Sequence, residues 1–124
     1  MTIQTDIRPA AVAGLFYPDN PVLLRDSITQ LLEENPASGP VPKAVIAPHA
    51  GYIYSGPVAA RAYNRVAAGA GVIRRVVVMG PAHRVALQGM ALPTARKFRT
   101  PLGDITIDQD AIDGIRDFSC AGWS

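Results

Sequence analysis

Lys43–Gly56, KAVIAPHAGYIYSG, decides how the chain is read. Its first residues, with Val41 ahead of them, are apolar and partly β-branched, and they stop at Pro48. His49 follows, then Ala50, Gly51, Tyr52 and Tyr54. The pattern predicts a buried strand whose carboxyl end opens into a loop carrying His49. Ligand sites of α/β proteins gather at such ends. Arg75–His83, RVVVMGPAH, repeats the design: an apolar run, Gly80-Pro81, then His83. The chain has only these two histidines.

Between the two stretches, Ser55-Gly56-Pro57 reads as a cap followed by proline. A helix is expected from Pro57 to about Ala68, with Val58, Ala62 and Val66 on one stripe and Gly69 ending it. Strand, helix and strand of this length make a βαβ unit, with parallel strands and a right-handed crossover. Parallel neighbours would bring His49 and His83 to the same sheet edge.

Upstream, Arg8–Pro18 predicts an extended segment and turn that end in Phe16 and Tyr17, an aromatic pair suited to plugging a core. Asp19 or Asn20 caps a helix beginning at Pro21. Leu23, Leu24, Ile28, Leu31 and Leu32 form its apolar face, and Asn35-Pro36 stops it. Downstream, Gly89–Leu92 is expected as a short strand. A bend at Thr100–Asp104 leads to a strand at Ile105–Ile107. Asp108 then caps a helix over roughly Gln109–Arg116.

Composition narrows the classes. The 124 residues are 48% hydrophobic and 18% charged, as suits one globular domain spanning 1–124. A net charge of +2, with scattered basic residues, argues against nucleic acid. No apolar run reaches the roughly 20 residues of a membrane span, and the N-terminus does not read as a signal peptide. The single cysteine, Cys120, excludes an internal disulfide and fits a reducing cytoplasm.

Two histidines on one sheet edge are part of a metal site. Neutral imidazole suits Zn²⁺, Fe²⁺ or Cu²⁺, and two such ligands with a carboxylate leave positions open for substrate. The plainer reading of each is a loop or core residue. Asp104, Asp108 and Cys120 are the candidates for a third ligand, although each aspartate is more simply a turn or cap. Tyr52, Tyr54 and Gly51 are candidate pocket residues: the phenols could donate hydrogen bonds to a ligand or fill the seam between loop and sheet. Phosphate-loop, dinucleotide and GxSxG motifs are absent.

RPAAVAGLFYP, AVIAPHAGYIYSGPVAARAY, RVVVMGPAHRV and FRTPLGDITID, in this order, resemble the Memo family of the AmmeMemoRadiSam group. The resemblance covers nearly all of residues 8–110. It implies a three-layer α/β sandwich with a central, mostly parallel sheet, similar to class III extradiol dioxygenases. It further implies a cleft lined by histidines and a cysteine and able to bind iron or copper, whose first two histidines match His49 and His83. The Cys120 position does not match the family's cysteine motif. Family members are about twice this length, so the chain resembles an amino-terminal half, with an uncovered sheet edge open to self-association. Two functions follow as expectations. One is a partial metal cleft of the non-haem iron type, acting on a small aromatic in the intact parent and inactive in this piece. The other is a non-catalytic module that holds a peptide or partner protein in the same cleft.

Overall fold

The computed structural model describes residues 6–117. They contain three helices and a three-stranded sheet: β1 (Ile7–Arg8), α1 (Pro21–Glu34), α2 (Tyr52–Ala67), β2 (Lys97–Thr100), β3 (Gly103–Thr106) and α3 (Gln109–Asp117). The chain divides into two compact units, residues 11–80 and residues 1–10 with 81–124.

The unit 11–80 is built on α1 and α2. Asn20 caps α1: its Oδ1 accepts from the Val22 and Leu23 amides at 2.9 and 3.1 Å. Pro21 takes the first position, where its missing N–H costs nothing. Leu24 and Ala60 are the buried apolar residues here among those described. The two helices close in where a side chain is missing. A Cβ on Gly56 would stand 3.0 Å from a Leu31 methyl, tighter than ordinary contact. Asn64 then ties the pair, since its Nδ2 donates to the carbonyls of Leu32 at 2.9 Å and Asn35 at 2.8 Å. Gly69 closes the turn after α2, where a Cβ would meet Val41 and Ile73 side-chain atoms at 2.7 Å.

Helix α2 starts earlier than Ser55-Gly56-Pro57 predicts. Gly51 is the cap, and Pro57 lies inside the helix. Pro57 removes the amide that would reach the carbonyl of Ile53. Ile53 is 85% exposed, so water can serve that carbonyl.

In the other unit the sheet order is β1-β2-β3. β1 runs parallel to β2, with Ile7 opposite Lys97. β2 and β3 form an antiparallel hairpin, with Thr100 opposite Gly103. Thr100 Oγ1 shapes the turn by accepting from Leu102 N at 3.1 Å and donating to the Gly103 carbonyl at 2.9 Å. Gly103 has φ +133°, a region that L side chains rarely adopt. The expected bend is thus a hairpin turn, and the expected strand Ile105–Ile107 is shifted toward the turn as β3. Asp108 caps α3, its Oδ1 accepting from Ala111 N at 3.0 Å.

The α/β character holds, but the sheet is small and mixed, not central and parallel. Neither Lys43–Ala47 nor Arg75–Met79 forms a strand, and Gly89–Leu92 is not one either. The physical reason is that a strand is a pairing, not a local shape. An apolar β-branched run can lie extended, yet it becomes a strand only where a neighbour completes the ladder. The βαβ crossover expected around α2 is therefore not formed among the described residues.

Candidate functional site

His49 lies in the link 48–51 between the run 41–47 and α2, and it is exposed. Two contacts fix this link. The Tyr52 amide donates to the Phe16 carbonyl at 2.8 Å. Ser55, a buried residue, donates through Oγ to the Ala50 carbonyl at 2.9 Å. The 12–17 turn supplies the first contact. It is tightened by Gly14, which has φ +80°, and by the Gly14 amide donating to the Tyr17 carbonyl at 2.8 Å. The RPAAVAGLFYP stretch therefore serves as a brace for the histidine link. Phe16 is 45% exposed and does not plug a core as the aromatic pair suggested.

Tyr52 and Tyr54 are two positions apart on α2, so they do not share a face. Tyr52 is half-buried and packs on Tyr17, with ring centroids 5.7 Å apart. Burial raises the Tyr52 phenol above its ordinary range, and the neighbouring Tyr17 and Tyr63 phenols add to the shift. Tyr54 is 80% exposed. Gly51 lies against the Phe16 backbone, where a Cβ would sit at 3.5 Å, an ordinary contact. Tyr17 and Tyr63 are the neighbours that sequence reasoning missed. The aromatic pair at 16–17 was the visible signal for the first, and the eleven-residue spacing from Tyr52, about three helical turns, was the signal for the second.

His83 is also exposed and follows Gly80-Pro81-Ala82. It belongs to the other unit. The parallel ladder that was to carry both imidazoles to one edge is not formed among the described residues. The remaining candidate ligands have local duties. Asp104 is paired with Arg99 through two hydrogen bonds, at 2.8 and 3.0 Å. That pairing holds its carboxyl below the usual range. Asp108 is the α3 cap. Cys120 lies outside the described residues. Among the described residues no three His, Cys, Asp or Glu side chains cluster to hold a metal. The imidazoles thus fit iron or copper in kind, while the described donor set falls short in number. No helix among these residues is long and apolar enough to cross a membrane.

The order of motifs around this link has counterparts in known proteins. The Memo-like protein family matches residues 8–120. Protein memo-1 homolog of Caenorhabditis elegans is 39% identical over 109 residues, covering 88% of this chain and 31% of its own length. A MEMO1 family protein of Methanothermobacter thermautotrophicus is 39% identical over 117 residues, covering 88% of this chain and 42% of its own. Protein MEMO1 of Xenopus laevis is 40% identical over 109 residues, covering 88% and 36%. The chain thus spans less than half the length of each of these relatives. With its profile matched from the bracing turn through both histidine links to the hairpin, the chain belongs to the Memo family.

Proposed function

We propose that this chain contributes two imidazole ligands, His49 and His83, to a Memo-like metal cleft, and that it does not turn over substrate by itself. The observation that carries the reading is the paired design: each histidine is exposed and directly follows an apolar run ended by proline or Gly-Pro. The family match spans both. Neutral imidazole binds iron and copper well, and a two-nitrogen donor set gives weaker binding than a complete one. The firm seating of the 48–51 link by Ser55 and by the Tyr52 amide supports a ligand role for His49. A donor held in place before the metal arrives loses less freedom on binding. A bound metal would supply Lewis acidity and open positions for a small aromatic substrate.

Equilibrium dialysis against Fe²⁺ or Cu²⁺ tests the reading. Wild type should take up more metal than His49→Ala or His83→Ala, and the double variant should take up least. Equal uptake by wild type and double variant would end it. Ring cleavage of a catechol by this chain with ferrous iron would contradict the claim that it lacks turnover.

A further inference from the structure

Two phenol rings from distant parts of the sequence are held against each other in the unit 11–80. Tyr17 closes the 12–17 turn and Tyr52 opens α2. Their ring centroids are 5.7 Å apart and their planes are tilted by 39°. That separation lies in the range where aromatic edges and faces touch. The backbone on each side keeps the rings opposed. The Tyr52 amide donates to the carbonyl of Phe16, the residue before Tyr17, at 2.8 Å, and the Tyr17 carbonyl accepts from the Gly14 amide at 2.8 Å. Both tyrosines are half-buried. The chain's other two tyrosines stand further out, Tyr54 at 80% and Tyr63 at 56% exposure.

Paired phenols have a chemistry that single ones lack. A one-electron oxidant takes an electron from a phenol, and the phenolic proton leaves to water. The unpaired electron is shared with the ring carbons ortho to the oxygen. Two such radicals in contact form a C–C bond between ortho carbons. The two displaced ring hydrogens then pass to the two oxygens as the rings regain aromaticity. The pair has lost two electrons, both accepted by the oxidant, and two protons. Proximity decides which phenols couple. A partner held in contact acts at an effective concentration on the order of millimolar or more, so at micromolar protein coupling within the pair should outrun coupling between chains about a thousandfold.

We propose that Tyr17 and Tyr52 form a site of oxidative cross-linking, with a one-electron oxidant as co-reactant, and that the resulting dityrosine joins the 12–17 turn to α2 and tightens the seat of the 48–51 link. The link runs directly into Tyr52, so a covalent tie at that ring restrains the backbone beside His49. The coupling itself is independent of the metal reading, because neither histidine takes part.

The test exposes the full chain, at micromolar concentration and with Cys120 alkylated, to photogenerated tris(bipyridine)ruthenium(III), with persulfate as the final electron acceptor. Blue dityrosine fluorescence and peptide mass spectrometry read the product. A monomer lighter by two hydrogens is expected, with Tyr17 joined to Tyr52. Tyr17→Phe and Tyr52→Phe keep a ring in place and should each lower the fluorescence about tenfold or more, whereas Tyr54→Phe should leave it unchanged. Amide hydrogen exchange over 49–52 should slow about tenfold in the cross-linked monomer. Joins mapped to Tyr54 or Tyr63 in place of this pair, fluorescence confined to dimers, fluorescence that survives both substitutions at 17 and 52, or exchange that does not slow would each overturn the proposal.

Discussion

Among the described residues, surroundings move the titration of Tyr52, Asp104 and its partner Arg99, and the two acids, Asp104 and Tyr52, move in opposite directions for different reasons. Arg99 donates twice to Asp104, which favours the charged carboxylate and lowers its midpoint. The stability this contributes is present above the ordinary carboxylate range and is lost as the pH falls through the lowered midpoint. Carbon-detected NMR should find Asp104 titrating below the ordinary carboxylate range, and Arg99→Ala should return it toward that range. Tyr52 is shifted upward, first by burial and then by Tyr17 and Tyr63. A phenol with a raised native midpoint holds its proton more tightly in the folded state. Its contribution is complete below the ordinary value of 10.0 and is lost as the pH climbs through the raised midpoint. Ultraviolet titration should show the Tyr52 phenol ionising above the ordinary range, and Tyr17→Phe should lower its midpoint. Much at this scale was legible. Asn20 and Asp108 could be read as caps because a cap depends only on the next three residues. Ser55 was misread because α2 begins at Tyr52, which turns a cap into a brace for the histidine link.

Helices α1 and α2 depend on each other through one glycine and one asparagine. Gly56 lets Leu31 approach, and Asn64 satisfies two carbonyls at the end of α1 and just past it. Asn64→Ala leaves both part-buried carbonyls without their donor and should cost about 1–3 kcal/mol in urea unfolding. Asn20→Ala removes only the α1 cap and should cost about 1 kcal/mol by the same measurement. A smaller loss at position 64 than at position 20 would mean that the helices are not tied as described. The helices were legible because apolar periodicity and caps are local signals. The strands were legible only at β3, which was expected slightly late, at Ile105–Ile107. Val45–Ala47 and Val76–Met79 have strand composition, but only a partner can make them strands. β1 escaped notice because two residues carry no periodicity, and its parallel pairing reaches across the sequence to Lys97.

For the molecule as a whole, family membership rests on the matched profile, while the chemistry rests on two exposed imidazoles. Their positions past apolar runs were readable from the sequence. Their meeting at one sheet edge was inferred from a βαβ ladder that the described residues do not form. Continuous-wave electron paramagnetic resonance of the Cu²⁺-loaded chain tests the shared-ligand claim most directly, since it counts nitrogen donors. Wild type should show coupling to two imidazole nitrogens, and His49→Ala and His83→Ala should each show one. A wild-type spectrum that neither substitution changes would contradict the account.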